Sequence, residues 1–116
     1  MSTLRQTADQ IISASIQAVL PDEAVRRALK DFHPEGRVFL AAAGKAAWQM
    51  AHAAVSALGA VEDGVVVTKY DHVKGDIPGV RCYEAGHPVP DANSFAATEK
   101  ALELVHGLHP EDNVLF

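Results

Sequence analysis

The fold is decided by residues 38–68, which read VFLAAAGKAAWQMAHAAVSALGAVEDGVVVT. Residues 38–43 form a short apolar run without alternation, which is typical of a strand covered on both faces. Residues 45–58 carry apolar side chains at helical spacing, and Gly59 follows as a helix stop. Residues 64–68 are rich in β-branched side chains and predict a second strand. A strand, a helix and a strand within about 30 residues form a βαβ unit, so the two strands are expected to be parallel.

Two helices are expected before this unit, and a strand, a helix and a strand after it. Pro21 ends the first helix and opens the second. Residues 80–85 predict a third strand, Asp91 is the expected N-cap of a helix that reaches about residue 106, and residues 114–116 begin a fourth strand. The pattern predicts an α/β fold, a Rossmann-like three-layer sandwich with a mostly parallel sheet. The apolar run at the end predicts that this domain is incomplete.

Composition narrows the class of protein. The chain has 116 residues, which suits one domain or a piece of one, and its formal net charge is −5 with both signs interspersed. No stripe of Lys and Arg favours nucleic acid as a partner. No stretch approaches about 18 uninterrupted apolar residues, so no membrane span is expected. The N-terminus lacks a signal-peptide core and Cys82 has no partner cysteine, so we expect a cytoplasmic protein.

Three stretches that follow predicted strands carry candidate functional residues. Gly44 and Lys45 follow the first strand, Lys69 the second and His87 the third. Ligands of parallel α/β sheets bind beyond the carboxyl ends of the strands. We therefore expect these residues to converge on one rim of the sheet. The isolated histidines near the C-terminus have no further ligands nearby, so no metal site is predicted in this chain.

Lys45 does not belong to either familiar phosphate-binding motif. A Walker loop would need glycine where Phe39 stands and Ser or Thr where Ala46 stands, and no G-x-G-x-x-G fingerprint is present. Lys45 is predicted in the first turn of a helix, where a positive charge is unfavourable unless an anionic ligand binds. The residues therefore leave two interpretations open, an anion site and a solvated surface lysine.

Lys69 and His87 likewise have two interpretations each. A nicotinamide-binding unit carries Asp or Glu at the end of its second strand, whereas this chain has Lys69 there. Lys69 could bind the extra phosphate of NADP, or it could be only a charge of the loop. His87 lies in EAGHPVPD at 84–91, where Gly86 and two prolines favour a rigid turn. Its imidazole could bind a substrate, or only satisfy backbone groups of the turn.

Together these stretches resemble the bacterial glycerate 2-kinases, the family whose longer members carry the MOFRL region. The resemblance rests on AGKAA at 43–47 with MA at 50–51, on TKY at 68–70, and on EAGHPVPD at 84–91 with Ser94. The last stretch is the most specific. The match covers essentially the whole chain, so residues 1–116 resemble the N-terminal segment of such a protein.

The resemblance implies ATP-dependent phosphorylation of D-glycerate at its 2-hydroxyl with Mg²⁺, at a site between two α/β domains. Lys45 occupies the place of an active-site lysine of the family, and we expect it to hold the glycerate carboxylate or the transferring phosphoryl group. Gly44, Lys69 and His87 are expected to line the substrate pocket. Glycerate and ATP are the implied partners, and a homo-oligomer is left open. The ATP and Mg²⁺ sites are expected largely beyond residue 116, so the fragment alone is expected to be inactive.

Two alternatives of other kinds stay open. Relatives of the glycerate 2-kinases have carried the label hydroxypyruvate reductase, so an NAD(P)H-dependent reductase is one alternative. The missing glycine fingerprint and the missing acidic residue after the second strand argue against it. The other alternative is a non-catalytic, small α/β binding module that is complete at Phe116.

Overall fold

The computed structural model describes residues 3–116. The strands form one sheet in the order β3-β2-β1-β4, and each neighbouring pair of these strands is parallel. The α/β fold and the parallel sheet predicted from the sequence are therefore confirmed. The elements in chain order are α1 (Leu4–Val19), α2 (Pro21–Leu29), β1 (Val38–Ala43), α3 (Ala47–Leu58), β2 (Asp63–Lys69), β3 (Val80–Ala85), α4 (Ala92–Leu104) and β4 (Asn113–Leu115).

Helices cover both faces of the sheet. Leu40 and Val66 are buried on the face that carries α3, where Ala51 packs against them. Phe39 and Val65 are buried on the other face with residues of α4. Successive side chains of a strand point to opposite faces, so a strand covered on both faces has no polar positions to alternate with. This packing explains the continuous apolar run of β1 and confirms the three layers.

The first helix packs differently from the rest. α1 begins at a capping box formed by Thr3 and Gln6, whose side chains each accept a hydrogen bond from the other residue's backbone N–H. Over residues 3–116, α1 contributes no buried side chain, and Ile11 and Ile16 are 61% and 54% exposed. In the same part of the chain, no helix combines the length and the hydropathy needed to cross a membrane.

The start of α3 differs from the prediction. The helix begins at Ala47 with Ala46 as its N-cap, so Lys45 lies one residue before the cap and not in the first turn. Gly44 causes the difference, because its φ of 122° turns the chain out of β1 before the helix begins. The Gly44 N–H still donates to the Val67 carbonyl at 3.0 Å, which continues the pairing of β1 with β2 by one residue.

Candidate functional site

A pocket of about 240 Å³ lies at the carboxyl edge of the sheet. Its lining comes from the ends of β1, β2 and β3, from the turns after β1 and β3, and from the first turn of α4. The structure therefore brings the four residues predicted as site residues to one rim, together with two polar residues that were quoted from the sequence only for the family resemblance. These six residues are Gly44, Lys45, Thr68, Lys69, His87 and Ser94.

The turn between β1 and α3 brings Lys45 to this pocket. Lys45 is exposed, and the Gly44 carbonyl before it accepts a hydrogen bond from the Ala47 N–H at 3.1 Å. Ala46 is the N-cap and, within residues 3–116, no side chain caps α3. The first N–H groups of a helix have no partner within the helix and carry a partial positive charge. Lys45 and the start of α3 thus both favour an anion at this edge, although Lys45 lies outside the helix.

The end of β2 contributes a buried hydroxyl and a second lysine. Thr68 is only 3% exposed, and its Oγ1 has no hydrogen-bond partner among residues 3–116. Lys69, the next residue, is half-buried. The sequence signal for Thr68 was a hydroxyl directly after the three valines of β2, at the carboxyl end of a strand. Its burial and its missing partner became visible only in the folded chain.

The turn after β3 closes the third side of the pocket. The His87–Pro88 peptide bond is cis, and the His87 side chain is exposed. A Cβ atom at Gly86 would lie 2.5 Å from the Val89 carbonyl oxygen and 3.0 Å from Asp91 Oδ2. Glycine is therefore required at position 86, because any other side chain would push this turn away from the start of α4.

Asp91 ties the turn after β3 to the loop after β2. It is the N-cap of α4, as predicted, and it forms a capping box with Ser94. Its carboxylate accepts hydrogen bonds from the Tyr70 hydroxyl at 2.6 Å and from the Ser94 N–H at 3.1 Å. The Tyr70 hydroxyl, followed by the Gly86 N–H, lowers the pKa of Asp91 to about 2. An ionised Asp91 therefore ties the loop after β2 to the turn after β3, and the latter lines the pocket.

Two further contacts hold the loop between β2 and β3. The Glu84 carboxylate accepts hydrogen bonds from the backbone N–H groups of His72 at 3.0 Å and Val73 at 3.1 Å. The Trp48 indole N–H donates to the Gly75 carbonyl at 2.9 Å. Because Glu84 belongs to β3 and Trp48 to α3, the loop is anchored to two different layers of the domain.

The charges around the pocket suit an anion. Two lysines and a histidine line it, and its described lining contains no Asp or Glu. Mg²⁺ prefers carboxylate, phosphate and water oxygens, so these residues do not fit a Mg²⁺ ion. Throughout residues 3–116, no group of three or more His, Cys, Asp or Glu side chains is arranged to hold a metal.

A larger cavity of about 840 Å³ lies at the opposite edge of the sheet. Its lining includes Val38, the first residue of β1, and Glu62, the residue before β2. Parallel α/β sheets bind their ligands at the carboxyl ends of the strands, and none of the residues predicted to bind substrate lines this cavity. We therefore place the candidate site in the smaller pocket.

Comparison with known protein families assigns the chain to one of them. The family described as a domain of unknown function, DUF4147, matches residues 7–116. The chain belongs to the DUF4147 family. Since the match includes the pocket residues from Gly44 to Ser94, the candidate site lies within the DUF4147 domain.

Relatives of this DUF4147 chain carry two kinds of name. It is 50% identical over 115 residues to the D-glycerate 2-kinase of Thermotoga maritima, covering 98% of this chain and 27% of that protein. A crystal structure of a glycerate kinase from Thermotoga maritima superposes with a TM-score of 0.88 at 50% identity, covering 97% of this chain and 27% of the other. An Agrobacterium vitis protein named "Putative hydroxypyruvate reductase" is 39% identical over 96% of this chain and 25% of its own length.

These matches confirm the resemblance to the N-terminal segment of the glycerate 2-kinases. The DUF4147 chain spans about a quarter of the length of the curated relatives it matches. A relative named as a hydroxypyruvate reductase is also present, as expected.

Proposed function

We propose that this DUF4147 domain supplies the anion-binding wall of an ATP-dependent glycerate 2-kinase, which phosphorylates D-glycerate at its 2-hydroxyl. The relatives named as glycerate kinases support the reaction. The observation that carries the site is that Lys45 lines the pocket and stands two residues before the uncapped start of α3. Both features attract a carboxylate or a phosphoryl group.

Lys45 is the residue to which we assign the main role. Its ammonium group binds the glycerate carboxylate or the transferring phosphoryl group. Phosphoryl transfer depends mainly on positioning and on stabilising charge, and a lysine at the edge of a pocket can do both. Gly44 turns the chain so that Lys45 reaches this edge, and Lys69 at the end of β2 and His87 in the turn after β3 add donors.

ATP and Mg²⁺ are the implied cofactors of the whole enzyme. The pocket residues would hold anionic oxygens of the substrate or of the phosphoryl group, whereas their donor set does not fit Mg²⁺. Because the chain spans 27% of the Thermotoga maritima kinase, we assign the Mg²⁺ ligands and most of the nucleotide site to residues outside these 116. We therefore expect the 116-residue chain by itself to lack kinase activity.

A chimera tests this proposal. The matching quarter of the Thermotoga maritima D-glycerate 2-kinase is replaced by this chain, and ATP-dependent phosphorylation of D-glycerate is measured. Glycerate phosphorylation by the chimera supports the proposal. An inactive chimera that folds and binds ATP would contradict it and favour a non-catalytic binding module.

A hydroxypyruvate reductase is the second candidate, and the name of the Agrobacterium vitis relative favours it. Lys69 at the end of β2 is compatible with the extra phosphate of NADP, but the glycine fingerprint of dinucleotide-binding domains is absent from the sequence. The same chimera separates the two activities. Oxidation of NADPH with hydroxypyruvate, without glycerate phosphorylation, would select the reductase.

A further inference from the structure

The Thr68 hydroxyl is a buried polar group without a partner. Thr68 is 3% exposed, lines the pocket, and its Oγ1 makes no hydrogen bond to any other residue of 3–116. Buried hydroxyl groups in folded proteins nearly always have a hydrogen-bond partner, so each exception calls for an explanation. A partner that enters the pocket from solution would provide one.

The packing of β2 gives no reason for an oxygen at this position. The residues before Thr68 are three valines, of which Val65 and Val66 are almost completely buried. Valine has nearly the shape of threonine and the same preference for strands, and it carries no group that loses hydrogen bonds to water on burial. A fourth valine would therefore suit the strand at least as well, and the hydroxyl is better explained by ligand binding than by folding.

The surroundings of Thr68 indicate which ligand chemistry it meets. Lys45, Lys69 and His87 line the same pocket, and α3 begins two residues after Lys45 without a side-chain cap. Pro88 and Pro90, which complete one wall, have no backbone N–H to donate. A pocket of about 240 Å³ is smaller than the roughly 300–1,000 Å³ of sites for drug-sized ligands, so it suits a small anionic group.

We propose that Thr68 is a substrate-binding residue, whose hydroxyl donates a hydrogen bond to a carboxylate or phosphate oxygen of the anion held by Lys45. This inference rests on the proposed function of the pocket. It adds a neutral hydrogen-bond donor, the Thr68 hydroxyl, to the charged donors Lys45 and Lys69. Removing a hydrogen bond to a charged group weakens binding by roughly ten- to a hundredfold. Thr68→Val should therefore lose affinity, whereas Thr68→Ser keeps a hydroxyl and should retain most of it.

The stability of Thr68→Val is a second readout, and it separates a ligand-binding hydroxyl from one that serves only the fold. Replacing an unpaired buried hydroxyl by a methyl group of the same shape is neutral or stabilising. Thr68→Val should therefore unfold at the same urea concentration as the wild type or at a higher one. A hydroxyl that serves only the fold would show the opposite pattern, with a lower urea midpoint and unchanged binding.

The experiment is an NMR titration of the 116-residue chain with inorganic phosphate, with D-glycerate and with uncharged glycerol as a control. The dissociation constants of the wild type, Thr68→Val, Thr68→Ser and Lys45→Ala are read from the amide shifts of Gly44, Thr68 and Gly86. A loss with Thr68→Val in the phosphate arm assigns Thr68 to the phosphoryl group, and a loss in the glycerate arm assigns it to the carboxylate. Either loss, with Thr68→Ser near the wild type, supports the proposal.

Two other outcomes are distinguishable. If the wild type binds an anion through Lys45 while Thr68→Val binds it equally well, the role of Thr68 is wrong and the proposed function stands. If the wild type binds neither phosphate nor D-glycerate, the anion site and the role of Thr68 are both overturned.

Discussion

The Tyr70 hydroxyl donates a hydrogen bond of 2.6 Å to Asp91 Oδ2, and the Asn93 amide donates one of 2.9 Å to the same hydroxyl. Tyr70 follows β2, whereas Asp91 caps α4 after the turn that contains His87. The bond therefore joins the loop that follows Lys69 to the end of the turn that contains His87, and Lys69 and His87 both line the pocket. It fixes the separation of this loop and this turn before any ligand binds, which is the kind of preorganisation a binding site requires.

Tyr70→Phe should raise the pKa of Asp91. The Tyr70 hydroxyl is the largest cause of the fall from the ordinary value of 3.8 to about 2, so its removal should return the pKa part of the way toward 3.8. Carboxyl ¹³C NMR titration measures the change. Asp112, whose pKa is also about 2 but is set by Arg37, is the internal control. An Asp91 pKa that stays near 2 in Tyr70→Phe would refute this assignment.

Acid should destabilise the domain in a defined window. The Arg37 guanidinium, followed by the His109 backbone N–H, lowers the pKa of Asp112 to about 2, with Arg37 nitrogens 2.9 and 2.7 Å from the carboxylate oxygens. A depressed folded-state pKa means that the unfolded chain binds more protons at low pH. The contribution is therefore complete above about pH 4 and is lost as the pH falls toward 2.

Urea midpoints between pH 5 and pH 2 measure this dependence, with the window set by the unfolded carboxyl pKa of about 4. Asp112→Asn should lower the midpoint at pH 5 and make its fall below pH 4 shallower, because it removes one of the two carboxylates, Asp91 and Asp112, whose pKa is lowered to about 2. A variant that loses stability with acid as steeply as the wild type would show that Asp112 is not responsible.

Gly44→Ala should reduce both stability and binding. Gly44 has φ 122°, a conformation that side chains rarely adopt, although nothing lies within 4 Å of the position of the added Cβ. The strain should cost about 1–3 kcal/mol of the free energy of unfolding. Relief of that strain would turn Lys45 away from the pocket, so the affinity for D-glycerate should fall as well.

Gly59→Ala is the matched control for this prediction. Gly59 also has a positive φ, 85°, and open space around it, but it ends α3 away from the pocket. A similar loss of stability is expected, without a change in the dissociation constant of D-glycerate. Equal effects of the two variants on binding would mean that the geometry of Gly44 is not specific to the site.

The helices and strands were predictable where the local sequence pattern and the tertiary packing favour the same element. The unalternating run of β1 predicted a strand covered on both faces, and Leu40 and Phe39 are indeed buried on opposite faces. Asp91 was predicted as an N-cap because a carboxylate at that position can accept a hydrogen bond from a backbone N–H of the helix. In the structure it accepts one from the Ser94 N–H. The start of α3 was predicted two residues too early, because Ala46 has no side-chain oxygen to mark a cap.

The candidate site was predictable only in outline. Gly44, Lys45, Lys69 and His87 could be placed on one rim because parallel strands end at the same edge of a sheet. The missing partner of the Thr68 hydroxyl depends on everything packed around it, so no local pattern shows it. The Tyr70–Asp91 bond likewise joins residues 21 positions apart in different elements.

The central claim is that Lys45 binds the anionic group of the substrate. The most direct measurement is kcat/KM for D-glycerate in the Thermotoga maritima chimera, compared between Lys45→Ala and Lys30→Ala, an exposed lysine at the end of α2. Loss of one charge-assisted hydrogen bond predicts a fall of roughly ten- to a hundredfold for Lys45→Ala and no change for Lys30→Ala. A Lys45→Ala chimera with the kcat/KM of the unsubstituted chimera would contradict the account.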